Sequence, residues 1–345
     1  MLPEPDELAE DLSAAGVEVL IRPLSVLRRE LLRARGLASL LGALAADTVT
    51  LSRLIRRRRI VLVHSNTSVV LGGATAAAAA RVPHVWHVRE IYSRYGRAWP
   101  IYRRVLQSAA ALPCVSAATA AQFRGSPRAL VVPDGLAIEA RRAARGPARR
   151  ALGLAADAPV IAVVGRISDW KGQDVLVRAL AEPELRGRGA VGLIAGRPWP
   201  GAEERLERML ALARELGVAE RVRLVGFRDD VETVYAAADL VAVPSTAPDP
   251  LPGAAIEAAA AGCAVIASAH GGLPEIIADG QTGRLFKPGD ARALARIAGE
   301  LLDDNRERER LGSAAAVDVR GRFASARQLE KISSLYDAVR SHRLA

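Results

Sequence analysis

Lysine is almost missing from this 345-residue chain. Of its 48 basic residues, only Lys171, Lys287 and Lys331 are lysines, and arginine supplies the rest. Cysteine is as scarce. Cys114 and Cys263 lie far apart within apolar runs, which excludes a disulfide framework and any paired-cysteine metal or redox motif; both are expected as buried free thiols. Aromatic residues reach only 4%. Alanine and arginine fill places often held by Ile, Phe or Lys, so an arginine cluster carries less functional weight than usual. No uncharged apolar run of about 18 residues is present and the first residues lack a secretory pattern, so a cytoplasmic location is expected, with peripheral contact at the inner face of a membrane as an extension of it. No strand is followed by G-x-G-x-x-G, which removes a dinucleotide-dependent dehydrogenase. No D-x-D triplet occurs.

The remaining composition is that of a folded protein: half the residues are hydrophobic and a quarter charged. The length suits two domains of about 150 to 200 residues. A net charge of +10 favours anionic partners, such as nucleotide phosphates or an anionic membrane surface. A nucleic-acid role would rest on charge alone, with no recognised module. Arg56 to Arg59 end an expected helix, where cations suit the helix dipole. The basic amphipathic stretch 24–44 reads as a core-packing helix with an arginine face, and membrane-surface contact is the alternative.

Short apolar runs alternate with longer amphipathic ones. Strands are expected at 17–24, 59–66, 83–88, 111–116 and 129–135, then again at 159–166, 190–196, 221–227, 239–245 and 263–268. Near-continuous apolar strands separated by helices indicate parallel sheets covered on both faces. The expected architecture is α/β, with two doubly wound, Rossmann-like domains joined by a link near 137–158. The first domain spans 1–138, to which a C-terminal helix at 325–345 can be added, and the second spans 139–324. In such sheets ligands sit beyond the C-terminal ends of the strands.

Lys171 stands in "VGRISDWKGQDVL". The strand ends at Gly165-Arg166 and a helix starts near Gln173, so Arg166 and Lys171 flank a loop that meets the positive end of a helix. Two cations there can neutralise a diphosphate and stabilise it as a leaving group. A lysine offers a compact, flexible point charge that follows a moving phosphate, which a planar arginine fork does less well. A second motif, "PSTAPDPLPGAAIEAAAAG", takes a strand through a proline-rich loop into a helix near Gly253 that Gly262 is placed to end. The opening residues Pro252, Gly253 and Ala254 can receive a phosphate or sugar. Asp249 and Glu257, eight residues apart, can accept hydrogen bonds from sugar and ribose hydroxyls. In "AHGGLPEII", Gly271 and Gly272 allow close backbone approach before another helix start. Gly226 and Phe227 end the earlier strand run 221–227, and Phe227 is a candidate wall for a nucleotide base.

The ordered set "VGRISDWKG", "VRLVGFRDDVETVYAAADLVAVPS", "PDPLPGAAIEAAAAGCAVIAS" and "GGLPEIIADGQTGRLF" resembles the retaining GT-B glycosyltransferases of the group 1 (family 4) class, strongly over 159–290 and more weakly over 15–135. The resemblance implies two domains facing across a cleft and transfer of a sugar from a nucleotide diphosphate, with retention at the anomeric carbon. It assigns Arg166 and Lys171 to the donor diphosphate, Glu257 to the ribose and Asp249 to the donor sugar. It also makes His87, in "VWHVRE", a cleft-facing histidine near the transferred sugar. The family usually has glutamate at Asp249, Glu-Pro-Phe-Gly where this chain has "DPLP", and Pro-Asn-Gly where it has Asp134-Gly135. With no metal motif, no cofactor is expected, and the leaving phosphate itself would help take the acceptor proton. The acceptor is open among glycans, lipid-linked glycans and small molecules. Family members also carry a strand and glycine-rich loop ahead of the segment at which this chain begins. The resemblance therefore predicts an incomplete first sheet, from a misplaced start, a truncated and catalytically impaired nucleotide-sugar-binding form, or a compensating partner. A GT-B epimerase would need acid and base residues around the sugar, and only five histidines are present.

Overall fold

The computed structural model describes residues 1–5, 7–27, 34–92, 96–136 and 144–341. The boundary expected at 138/139, residues 28–33 of the basic stretch and the end of the C-terminal segment lie outside these described residues. The chain divides into two compact units. One comprises Met1–Val115, Thr119–Val132 and the residues from Lys331 onward; the other comprises Ser116–Ala118 and Pro133–Glu330.

The first unit carries β1 (Val63–Ser65), β2 (His84–Trp86), β3 (Leu112–Cys114) and β4 (Ala129–Val131). β1 pairs with β2 and β3 with β4, all parallel, and single bridges from Val85 to Ala111 and Val88 to Cys114 join the two pairs. The alanine-rich helix Gly72–Ala80 packs on the helix Ala34–Arg57; fully buried Ala76 meets Leu51 and Ile55, and small side chains let the two backbones come close. Residues 38–57 are long and apolar enough to cross a membrane by length and composition alone. Their Asp47, however, is buried, takes the Ser25 N–H at 2.7 Å and faces Arg22 at 3.6 Å, as on a helix packed against protein. Leu335 and Val339 of the helix Ser325–Arg340 cover Val85 and Ala111.

The strand expected at 17–24 does not form. Only Ile21 bridges, to Leu2, and Val17, Leu20 and Ile21 stay exposed. An apolar run becomes a strand only where a neighbour offers a ladder along its length, and Leu2 offers a single rung.

The second unit is a six-stranded parallel sheet of β5 (Val160–Val164), β6 (Val191–Ala195), β7 (Val222–Gly226), β8 (Leu240–Val243), β9 (Ala264–Ser268) and β10 (Arg284–Phe286), in the order β10-β9-β8-β5-β6-β7. β5 explains why its sequence reads apolar throughout. Val160 and Ala162 pack into the core on one face, Ile161 and Val163 into the core on the other, each at most 2% exposed. Full burial of each of the valine and isoleucine side chains contributes about 1.5–3 kcal/mol. Part of the expected link, Arg145–Ala151, is a helix of this unit. It is anchored by Arg149, which is 1% exposed, donates to the carbonyls of Ala155, Ala156, Ala158 and Ala237 and pairs with Asp239 at 2.8 Å.

This strand order places the functional loops. From β5 the chain winds through β6 and β7 on one side, then returns to lay down β8, β9 and β10 on the other. The reversal falls between β5 and β8, whose following loops open a crevice at the C-terminal edge.

Candidate functional site

The loop Gly165–Gly172 follows β5 and leads into the helix Gln173–Ala181. Gly165 (φ +140) and Gly172 (φ +78) take backbone conformations that favour glycine. Buried Gln173 closes the loop by donating through Nε2 to the Arg166 carbonyl at 3.0 Å. The loop is sewn to its neighbour after β8: Thr246 N–H donates to the Trp170 carbonyl at 2.8 Å, and a Cβ at Gly172 would lie 1.8 Å from the Pro244 carbonyl oxygen. Across that seam Lys171 Nζ donates to Asp249 Oδ2 at 2.7 Å, with the lysine side chain 24% exposed and the carboxylate 6%. Lys171 also sits 4.6 Å from the Trp170 ring centroid. The structure therefore brings Lys171 and Asp249 together as an ion pair at the topological switch point.

The loop after β8 enters the helix Gly253–Ala260, with Pro252 as its cap and Gly262 (φ +76) just past its end. Gly253, Ala254 and Glu257 share this N-terminal half, where helix N–H groups suit an anion. Tyr235 OH donates to Glu257 Oε2 at 2.9 Å. Burial, reinforced by the charge and hydrogen bond of Glu257, raises the tyrosine pKa so that it remains a donor. Gly271 and Gly272 wrap the Asp249 backbone. A Cβ at Gly271 would fall 2.4 Å from the Asp249 carbonyl oxygen, and Gly272 N–H donates to that oxygen at 2.8 Å. Next to them, His270 pairs through Nε2 with the Ser245 carbonyl at 2.9 Å. Burial lowers its pKa, partly offset by that bond and by the charge of Asp249.

Beside this pair lies a cavity of about 810 Å³ above β5, β6 and β7, lined by Gly165, Arg166, Arg197, Trp199, Phe227 and Arg228 among others. Its two aromatic rings are exposed, Trp199 by 55% and Phe227 by 57%, in a chain with few aromatics. Each carries a guanidinium: Arg166 at 3.5 Å from the Trp199 centroid, Arg197 at 5.1 Å from that of Phe227. Gly226 (φ +70) turns the chain out of β7 to present Phe227. Lys171, Asp249 and Glu257 do not line this cavity. Exposed aromatic faces can stack on a planar ring, cations can neutralise phosphate charge and carboxylates can accept from hydroxyls.

His87 belongs to the first unit. It follows β2, is 3% exposed, and its ring lies 5.5 Å from that of His64, which accepts or donates at 2.6 Å with Tyr336 OH. Sequence reasoning missed Trp199, Arg197, Tyr235 and His270. An exposed aromatic just after a strand end, in an aromatic-poor chain, was a usable signal for Trp199. Tyr235 and His270 acquire their places only through tertiary packing.

Comparison with known proteins bears on the family and the fold. Residues 145–318 match the family model of glycosyl transferases group 1, and residues 2–135 match that of the glycosyl transferase 4-like domain. A D-inositol 3-phosphate glycosyltransferase of Corynebacterium diphtheriae is 40% identical over 192 residues, 54% of this chain and 44% of the relative, so the match spans less than half of that protein. The Anabaena protein Alr3699/HepE, solved with UDP and glucose, superposes with a TM-score of 0.83 at 25% identity, covering 98% of this chain and 91% of that one. Sucrose-phosphate synthase of Thermosynechococcus elongatus shares the fold at a TM-score of 0.79 and 23% identity, over 97% and 92% of the two chains. The chain belongs to the group 1 glycosyltransferases and has their GT-B, α/β fold.

Proposed function

We propose that this protein transfers a sugar from a nucleotide-diphosphate donor to an acceptor hydroxyl, with retention of anomeric configuration and without a metal. The observation that carries the reading is the arrangement at the switch point: a paired lysine, an arginine-backed aromatic cavity and a tyrosine-held glutamate line up along one sheet edge. The Anabaena neighbour solved with UDP-glucose supports such a donor, and the inositol-phosphate relatives make D-inositol 3-phosphate the first acceptor to assay. Lys171 and Arg166 would neutralise the diphosphate as the glycosidic oxygen leaves. The acceptor oxygen would then bond to the anomeric carbon from that same face, its proton passing to the departing phosphate oxygen, so no dedicated base is needed. Cations can do this where a metal otherwise would.

The test is a transfer assay with UDP-, GDP- and ADP-sugars against D-inositol 3-phosphate and a panel of glycan acceptors. NMR assigns the anomer and chelator is added in parallel. Transfer that retains configuration and survives chelation is expected, with Lys171→Ala lowering kcat at saturating donor by about 100-fold or more. Full activity in that variant sinks the role given to Lys171, and an inverted product sinks retention. Binding without turnover would instead favour a nucleotide-sugar-binding protein.

A further inference from the structure

At the edge of the first unit where β1 and β2 begin, two turns break a rule that the rest of the chain keeps. Arg59 (φ +52) lies ahead of β1, and Arg81 (φ +59) caps the helix Gly72–Ala80 ahead of β2. Among the described residues, every other position in this left-handed region is glycine. A larger side chain is strained there, and the chain does not lack glycine. The helix dipole does not account for Arg59, because Arg56 and Arg57 already fill the last turn of Ala34–Arg57. Arginine is common in this chain, so its number says little. Its retention in two strained turns says more, and points to a use for the charge.

The two turns lie together. Val63 pairs with His84 in parallel register, so the chain enters both strands at one edge, and Arg56 Nη2 donates to the Ala79 carbonyl at 2.5 Å. Residues 53–63 and 77–83 hold six arginines, all exposed, and no acidic residue. Among the described residues only Glu18 pairs with any of them, at 2.8 Å from Arg58, which leaves Arg53, Arg57, Arg59 and Arg81 without an ionic partner. Val61, 60% exposed, stands two residues from Arg59, and Val17, 49% exposed, stands next to Glu18. Neither segment holds an aromatic residue on which a nucleic-acid base could stack. Guanidinium groups interspersed with exposed aliphatic side chains suit the headgroup layer of an anionic bilayer, which takes both.

We propose that this edge of the first unit docks on an anionic lipid surface, with Arg59 and Arg81 on headgroup phosphates and Val61 in the interface. His87 follows β2 at the opposite edge of the same sheet, the edge beyond which doubly wound sheets bind their ligands. Docking leaves that edge free, so the contact locates the protein without occupying a substrate site.

Co-sedimentation of the full chain with vesicles tests this. The vesicles are phosphatidylcholine alone, or phosphatidylcholine and phosphatidylglycerol in about equal parts. Binding to the mixed vesicles only, weakened by salt, is expected. The double variant Arg59→Gly, Arg81→Gly removes two charges and relieves both turns. It should bind mixed vesicles about tenfold or more weakly, and unfold in urea at an unchanged or higher midpoint. A role in helix ends alone would lower the midpoint and leave vesicle binding as it was. Val61→Ser should weaken vesicle binding about threefold and leave unchanged the binding to heparin, a polyanion with no apolar phase.

Wild type that ignores the mixed vesicles, or binds neutral ones equally, overturns the proposal. So does a folded double-glycine variant that binds at wild-type strength. If that variant does not fold, Arg59→Asn, Arg81→Asn decides in its place, since asparagine also tolerates the left-handed region. Val61→Ser at wild-type strength on both vesicles and heparin would assign the patch to nucleic acid or another polyanion and overturn the lipid reading.

Discussion

The His84 imidazole is held neutral inside the first unit, its pKa lowered to about 4, chiefly by burial and secondarily by the charge of His64. Its Nε2 meets Ser65 Oγ at 3.0 Å, and its buried Nδ1 has no protein partner among the described residues. The sign follows from linkage: the unfolded chain binds this proton near pH 6.5 and the folded one only near 4. The stability it contributes is therefore complete above 6.5 and lost as pH falls through that window, by about 3 kcal/mol in total. His64, also lowered by burial, acts in the same direction. Urea titrations at pH 7.5 and 4.5 should show the loss, and His84→Gln should shrink it; an equal loss in the variant would place the sensitivity elsewhere. Single residues were unevenly legible in the sequence. Lys171 stood out as a rare lysine in a strand–loop–helix setting, but its tie to Asp249, 78 positions on, depends on β5 lying beside β8. That adjacency is a property of winding order, which no local pattern carries.

Elements were legible where an apolar run also finds neighbouring strands. The five strand runs expected in the second unit all form; β5, β6, β8 and β9 are apolar along their length and almost wholly buried, whereas β7, at the sheet edge, carries exposed Arg223 among apolar neighbours. β10 was not among them: of its three residues only Phe286 is buried, so it gives no apolar run. The run at 17–24 failed for the converse reason, being apolar without a ladder partner. The seam between the loops after β5 and β8 depends on Gly172, which combines φ +78 with a Cβ position 1.8 Å from the Pro244 carbonyl oxygen. Gly172→Ala must either flip the turn or push the two loops apart. We expect a destabilisation of about 3 kcal/mol in urea unfolding and loss of nucleotide binding, because the Lys171–Asp249 register opens. A variant of wild-type stability and affinity would mean that the seam can yield without disturbing the site.

The whole molecule is less symmetrical than its repeating pattern suggests. The second unit closes its own core on both faces of its sheet, and it contains Arg166, Lys171, Trp199, Phe227, Asp249 and Glu257. The first unit is not continuous in sequence, since Ile332, Leu335 and Val339 from the C-terminal helix cover Val85 and Ala111. The sequence announced two units through a strand pattern that restarts near residue 159, but a helix with one apolar stripe does not say which sheet it will cover. Residues 133–330 expressed alone should therefore unfold cooperatively and bind the same nucleotide within about tenfold of the full chain, since the proposed contacts to base, diphosphate and ribose are all retained. Residues 1–132 alone should show no cooperative transition, because the β2–β3 face loses its cover. In the full chain, Leu335→Ala should cost about 2–5 kcal/mol and fall on the first unit, with nucleotide affinity unchanged. Hydrogen exchange resolved by segment separates the outcomes. Protection lost in β2 and β3 but kept in β5 and β8 supports two separately closed cores. Loss in both together would mean that the chain folds as one cooperative body, and that the donor site depends on the C-terminal helix as well.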